Sequence, residues 1–143
     1  MKRFEFSLET VLRLRASEER EMENRLAAVT GECERLRLSI EKFRKEKLRC
    51  AVENGFSDIS MLLSVSHYQA RMDRDILEAG EMLRRKKKER ESILIDFIEA
   101  SRKRKVLDKL KEKKYNEYHR LSLKEEEKRN DDINNAKWAG TEH

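Results

Sequence analysis

Residues 8–43 read LETVLRLRASEEREMENRLAAVTGECERLRLSIEKF, and this stretch decides the fold. Its apolar side chains lie on two interleaved ladders that each repeat every seven residues, one from Leu8 and one from Leu12. The ladder residues are Leu8, Leu12, Met22, Leu26, Val29, Cys33, Leu36, Ile40 and Phe43. Arg15 and Glu19 interrupt the ladders before Lys47 ends them. This spacing predicts the apolar seam of a coiled coil.

The composition favours long helices over a compact globule. The chain has 143 residues with no proline, four glycines, 44% charged residues and 6% aromatic residues. So few apolar residues cannot fill a globular core, and one extended domain is expected over 1–143. Disordered chains lack sustained apolar periodicity, which argues against disorder of the whole chain.

The first helix has recognisable ends. Ser7 can cap its free amides, Glu9 places negative charge in the first turn, and Phe6 stands where it can pack on Val11. Acid-first pairs at a spacing of four support the helix: Glu9 with Arg13, Glu21 with Arg25, and Glu41 with Lys45. We expect helix one over 8–53. Asn54-Gly55 then predicts a turn over about 54–57, with Ser57 as the cap of the next helix.

The apolar spacing returns in the second half of the chain. Met72, Ile76, Ala79 and Leu83 continue it, followed by Ile93, Phe97 and Ala100. Helix two is predicted over about 58–135, with a frayed tail at 136–143. Whether 56–65 is a helical tip or an irregular loop stays open. The fold class is therefore all-α, with two long helices in an antiparallel left-handed coiled-coil hairpin.

The two helices differ in length. At 1.5 Å per residue, helix one would span about 69 Å and helix two about 117 Å. Counting outward from the turn predicts that Leu110, Tyr115, Tyr118 and Leu121 project beyond the hairpin without an intramolecular partner. Exposed apolar residues on such a helix favour contact with another protein.

Positive charge is concentrated in two blocks of helix two, and the whole chain carries a net charge of +5. One block holds Arg84, Arg85, Lys86, Lys87, Lys88 and Arg90, and the other holds Arg102, Lys103, Arg104 and Lys105. Each block spans at least one helical turn, so neither occupies a single face. The alternatives are a solvated helix surface, an acidic protein partner and a nucleic acid.

Catalytic and cofactor motifs are absent from the sequence. The glycines at 31, 55, 80 and 140 are isolated, so no phosphate-binding loop is present, and the three histidines are scattered. No cysteine pair has metal-ligand spacing. No apolar stretch reaches eighteen residues, and the N-terminus lacks the apolar core of a signal peptide. We expect no enzymatic activity, cofactor or metal, and a cytoplasmic protein. Gly31 and Gly80 mark either a close approach of the helices or two tolerated surface positions.

Several stretches carry a family resemblance. They are FEFSLETVLRLR at 4–15, Gly55-Phe56-Ser57 followed by His67-Tyr68-Gln69, RKVLDKLKEK at 104–113, Tyr118, and Asp131-Asp132-Ile133. Together they resemble the FliJ family, the small coiled-coil proteins of the bacterial flagellar export apparatus.

The resemblance implies a non-enzymatic protein of flagellum biogenesis and motility, similar to the central stalk of rotary ATPases. It would link the hexameric flagellar export ATPase to the cytoplasmic domain of the export gate, and it would escort export chaperones. Its expected location is the cytoplasm, peripheral to the inner membrane at the flagellar base. Neither nucleic-acid binding nor direct membrane insertion is expected.

The resemblance also assigns partner-binding residues. Those for the ATPase end are Phe4, Phe6, Val11, Arg13, Arg15, Leu107, Leu110 and Tyr118. Those for the export-gate end are Leu36, Ile40, Phe43, Met72, Ile76, Ala79 and Leu83, which are also seam positions that could simply pack the hairpin.

Three other functions fit the sequence. The first is the equivalent stalk protein of a virulence-type secretion system. The second is a nucleic-acid-binding coiled-coil arm that uses the basic blocks, although it lacks interleaved aromatic residues for base stacking. The third is a homo-oligomeric scaffold in which helix one pairs between chains.

Overall fold

The chain forms two long helices in a computed structural model that describes residues 2–53 and 58–141. Helix α1 spans Glu9–Glu53 and helix α2 spans Ile59–Thr141. The described residues contain no strand. The all-α class and the two-helix hairpin are thus confirmed, whereas the left-handed supercoil stays a prediction. The turn predicted at Asn54-Gly55 and the cap predicted at Ser57 lie outside the described residues.

Helix α1 begins one residue later than predicted. The Leu8 carbonyl accepts a hydrogen bond from the Leu12 amide at 2.9 Å, and the Glu9 amide donates to the Phe6 carbonyl at 3.1 Å. These bonds close the first turn on Leu8, so the first residue with helical geometry is Glu9. The described part of α1 runs to Glu53, and the prediction that the helix ends there stays a prediction because the next residues lie outside the described ones.

Asp58 caps the start of α2. Its carboxylate Oδ1 accepts a hydrogen bond from the Met61 amide at 2.7 Å. Its carbonyl accepts a second bond, from the Leu62 amide at 3.2 Å. A side-chain acceptor bonded to the third helical amide is the usual N-cap arrangement. The described apolar residues at 59–65 are helical, so the alternative left open for 56–65 is decided for these residues, while 56 and 57 lie outside the described ones.

Helix α2 extends beyond the bound of about 135 predicted for it and continues to Thr141, whereas fraying of its last turns stays a prediction. No proline interrupts this segment, and Ala136 and Lys137 are good helix formers. Gly140 alone opposes the helix, at a cost of about 1 kcal/mol relative to alanine.

Contacts divide the chain into two compact units. We call Arg20–Ile98 the hairpin unit, and the described parts of Met1–Glu19 and Glu99–His143 the terminal unit. Within the hairpin unit, Lys47 pairs with Asp73 at 2.5 Å and Glu32 pairs with Lys86 at 2.8 Å. Since lower numbers on α1 meet higher numbers on α2, the two segments run antiparallel.

The ladder positions form the core of the hairpin unit. On α1, Val29 and Cys33 are 6% and 5% exposed. On α2, Met72 is 5% exposed, and Val65 and Ala79 are each 8% exposed. The remaining apolar ladder residues are half-buried: Met22, Leu26, Leu36, Ile40, Phe43, Ile76, Leu83, Ile93 and Phe97. The seven-residue pattern therefore predicted correctly which face of each helix is buried in the hairpin unit.

Lys86 occupies a ladder position of α2, seven residues after Ala79, and is half-buried. Its ammonium lies 2.8 Å from the Glu32 carboxylate and 3.2 Å from that of Glu89. The hydrogen bond and positive charge of Lys86 hold the pKa of Glu32 below its ordinary value of 4.5. The bonds to Glu32 and Glu89 raise the pKa of Lys86 above 10.5. One cation of the basic block thus belongs to the interface between the helices.

This ion pair gives a pH-dependent prediction. A carboxyl whose pKa is lowered on folding stabilises the protein above its unfolded pKa, and that contribution disappears as pH falls through its folded pKa. Glu32→Gln should therefore lower the melting temperature at pH 7, and the difference from the wild type should shrink at pH values below 4.5. Thermal unfolding followed by circular dichroism, at pH 7 and at a pH below 4.5, measures this difference in melting temperature. Glu23→Gln, at an exposed position of the same helix, is the control, and a difference for Glu32→Gln that grows in acid would contradict the account.

The two mid-helix glycines do not mark a close approach. A methyl group built on Gly31 or Gly80 meets no other atom within 4 Å, apart from the backbone of its own helix turn. Both residues have ordinary negative φ angles. The structure thus supports the second alternative, that Gly31 and Gly80 are tolerated helix positions.

Alanine should therefore stabilise the hairpin unit at either position. Gly31→Ala and Gly80→Ala each remove the entropy cost of a mid-helix glycine and should raise the free energy of unfolding by about 0.5–1 kcal/mol. Chemical denaturation provides the measurement. Gly140→Ala, one residue before the end of α2, should have a smaller effect, and a loss of stability in the first two variants would show an unrecognised contact.

Candidate functional site

Four rings meet in the terminal unit. The Phe4 centroid lies 5.3 Å from that of Tyr115, nearly perpendicular to it, and 5.5 Å from that of Tyr118. Tyr115 also stacks on His119 at 6.3 Å, with an interplanar angle of 11°. We call these residues the aromatic cluster. Edge and offset contacts of this kind contribute about 0.5–1.5 kcal/mol each beyond area burial.

A hydrogen bond fixes the segment that precedes α1. The Tyr118 hydroxyl donates to the Lys2 carbonyl at 2.7 Å. Residues 2–6 are not helical, and Phe4 and Phe6 within them are half-buried. The prediction that Tyr115 and Tyr118 lack an intramolecular partner is thus wrong, because the non-helical segment that precedes α1 lies against α2 beyond the start of α1. Leu110 is half-buried, and Leu121 is 50% exposed.

Ion pairs connect α1 to α2 beside the aromatic cluster. Glu9 pairs with Lys111 at 2.9 Å, and Arg104 binds both Glu19 and Asp108. The Glu19 side chain is only 16% exposed. The hydrogen bonds that the Arg104 guanidinium donates to Glu19 and Asp108 raise the pKa of Arg104. Glu19, which interrupts the apolar ladder of α1, therefore pairs with a specific residue of α2, Arg104.

All eight residues predicted for the ATPase end lie in the terminal unit. Phe4, Phe6, Arg15, Leu107, Leu110 and Tyr118 are half-buried, whereas Val11 is 37% exposed and the Arg13 side chain is 80% exposed. A surface groove between the N-terminal segment and α2 is lined by Arg3, Phe4, Glu5, Phe6, Glu9, Arg13 and Lys111. Sequence and structure thus agree that these residues share one region, with Val11 and Arg13 the most accessible of them.

Two residues of this surface are not among the predicted site residues. They are Tyr115 and His119, which complete the aromatic cluster. The spacing of Tyr115 and Tyr118, one helical turn apart, was the available signal. The sequence analysis predicts that these two tyrosines project without a partner, whereas in the structure both contact Phe4.

The residues predicted for the export-gate end lie in the hairpin unit and pack its core. Met72 and Ala79 are buried. The others are half-buried: Leu36, Ile40, Phe43, Ile76 and Leu83. Their packing role is clear from this burial, and their contact with an export gate stays a prediction.

The described helices include none that is long and apolar enough to cross a membrane. Across residues 2–53 and 58–141, no group of three or more histidine, cysteine, aspartate or glutamate side chains could hold a metal ion. The candidate site in the terminal unit consists of aromatic, basic and aliphatic side chains.

Comparison with known proteins identifies a family for this chain. The family model described as "Flagellar FliJ protein" matches residues 4–142, nearly the whole chain. The chain belongs to the flagellar FliJ family. It is therefore a component of the flagellar export apparatus, and the family resemblance stated from the sequence is confirmed. No curated protein and no solved structure gives a significant match.

The N-terminal segment of this FliJ-family chain should be released when the aromatic cluster is weakened. Tyr115→Ala removes the perpendicular contact with Phe4, worth about 0.5–1.5 kcal/mol, so the segment should open about two- to tenfold more often. Tryptic cleavage after Lys2 and Arg3, followed by mass spectrometry, should accelerate by that factor. Tyr68→Ala in the hairpin unit is the matched control. Equal cleavage rates in all three proteins would show that the cluster does not hold the segment.

Proposed function

We propose that this FliJ-family chain is a non-enzymatic stalk and chaperone-escort protein of the flagellar export apparatus. In this proposal it links the hexameric export ATPase to the cytoplasmic domain of the export gate and receives export chaperones. It would act in the cytoplasm at the flagellar base. Family membership supports a role in the flagellar export apparatus. The two described units offer separate surfaces for separate partners.

The terminal unit is the surface proposed for the ATPase. The observation that carries the proposal is the aromatic cluster, which joins the beginning of the chain to α2 and lies among exposed cations. Tyrosine and arginine are enriched in the energetically dominant parts of protein interfaces. Tyr115 is 50% exposed, and Arg13 and Val11 are accessible beside the groove. A partner can therefore reach aromatic, aliphatic and positive groups without unfolding the unit.

The contact with the export gate is proposed for the hairpin unit. Buried Met72 and Ala79 would act by holding the helices in register. The half-buried residues Phe43 and Ile76 expose part of their surface and could contact a partner directly. Exposed Leu38 and Met82, at 50% and 49%, would extend this apolar surface.

The ATPase proposal predicts a surface-specific loss of stimulation. Val11→Asp with Arg13→Ala alters exposed groups, so helicity should be kept, while stimulation of the purified export ATPase should require about tenfold more protein. Steady-state ATPase assays over a concentration series provide the measurement. These sites are preferable to Leu110 and Tyr118, since aspartate at those half-buried positions would also disturb folding.

Leu38→Asp with Arg20→Ala makes the same chemical changes on exposed positions of α1 in the hairpin unit. This control should stimulate the ATPase as the wild type does. If both double variants stimulate equally well, the terminal unit does not provide the ATPase contact.

A further inference from the structure

The N-terminal segment, residues 2–6, lies on α2 as an extended peptide. None of its residues is helical. Phe4 and Phe6 are half-buried, whereas Lys2, Arg3 and Glu5 are exposed. Side chains that alternate with a period of two are typical of extended backbone with one side against a surface. The segment thus partly buries its aromatic side chains and leaves its charged side chains in solvent.

Tyr118 depends on this segment for its cover. Helix α1 begins at Glu9, which pairs with Lys111 at 2.9 Å. Tyr118 lies seven residues further along α2, about 10 Å beyond that pair. It is nevertheless half-buried, with its ring 5.5 Å from that of Phe4 and its hydroxyl bonded to the Lys2 carbonyl. The N-terminal segment therefore takes the place of α1 on this part of α2.

Few contacts hold the N-terminal segment in place. Among the described residues it shares one hydrogen bond with α2, from the Tyr118 hydroxyl to the Lys2 carbonyl at 2.7 Å. The ring contacts of Phe4 with Tyr115 and Tyr118 add to that bond. A segment with so few buried contacts opens locally, without unfolding of the helices. Opening leaves the hydroxyl donor and the ring faces of the two tyrosines unoccupied on α2.

We propose that Tyr115 and Tyr118 form a binding site for an extended segment of another protein, and that the N-terminal segment occupies this site until such a partner displaces it. The chemistry of the ligand follows from the present occupant. It is a non-helical peptide that offers a backbone carbonyl to the Tyr118 hydroxyl and, two residues later, an aromatic side chain to both rings. Displacement also frees Phe4 and Phe6, so both sides of the aromatic cluster become accessible together.

A partner can bury more of this site than the N-terminal segment does. With the segment in place, Tyr115 is still 50% exposed, and so is Leu121, one helical turn beyond Tyr118. A longer extended peptide would cover these groups as well, and burial of apolar area favours the complex. A second copy of this chain offers only the same segment, so exchange between copies adds no contact and loses the advantage of covalent attachment. The proposal holds for any partner protein, so it does not rest on the assignment of the ATPase to this unit.

Fluorine NMR of the full chain labelled with 3-fluorotyrosine tests the proposal. The chain has three tyrosines, of which two form the site and Tyr68, in the hairpin unit, is an internal control. Phe4→Ala should shift the signals of Tyr115 and Tyr118, because it removes the ring that contacts both. The probe is an acetylated peptide with the sequence of residues 2–7. At about millimolar concentration it should return both signals toward their wild-type positions and leave that of Tyr68 unchanged.

The peptide should bind the Phe4→Ala chain about two- to tenfold more tightly than the wild type, whose own segment competes for the site. Adding Tyr118→Phe removes the hydroxyl donor and should weaken that binding about two- to tenfold, at equal helicity by circular dichroism. A matched peptide with alanine at both phenylalanine positions should return neither signal. The proposal fails if the phenylalanine peptide returns neither signal, if the alanine peptide acts equally, or if Tyr68 shifts as much as the site. Equal affinity for the wild type and Phe4→Ala would also overturn it, as would a wild-type spectrum that changes with protein concentration, which would show exchange between copies.

Discussion

Ion pairing of charged ladder residues between the two helices is the interaction on which the rest of the structure depends. A purely apolar ladder would tolerate slippage by a heptad, since each step would bury similar side chains. Here Glu19 must meet Arg104 in the terminal unit, and Lys86 must meet Glu32 in the hairpin unit. A slip would leave partly buried charges without partners, which is costly. The charged positions therefore select one antiparallel register.

That register determines what the beginning of the chain contacts. With Glu9 held on Lys111, the non-helical segment before α1 is directed along α2, where Phe4 meets Tyr115 and Tyr118. The aromatic cluster is thus a consequence of pairing further along the helices. It gives this FliJ-family protein a terminal surface on which aromatic, aliphatic and basic groups are presented together, as the proposed ATPase contact requires.

Local and periodic features were predictable from the sequence, whereas features that depend on register were not. The burial of the ladder residues follows from their heptad spacing. The three ion pairs predicted within α1 are all present: Glu9 with Arg13, Glu21 with Arg25, and Glu41 with Lys45. The eight residues that the resemblance assigns to an ATPase contact all lie in the terminal unit, and the contact itself stays a prediction. The predicted overhang was wrong because it assumed that helix two has no partner beyond the start of helix one. The non-helical segment before α1 supplies that partner, and it reaches far along α2 because an extended chain advances about 3.3 Å per residue, against 1.5 Å in a helix. The partner of Glu19, 85 positions away on the other helix, has no local signal.

The most direct test is a double-mutant cycle on Glu19 and Arg104, with glutamine introduced singly and together and stability followed by thermal unfolding. Since each single variant leaves one charge without its cross-helix partner, the double variant should be clearly less destabilised than the sum of the two single effects. The loss of the Asp108 contact occurs with and without Glu19, so it cancels in the cycle. Strictly additive effects would show that the two residues are not coupled and would contradict the account of how the register is selected.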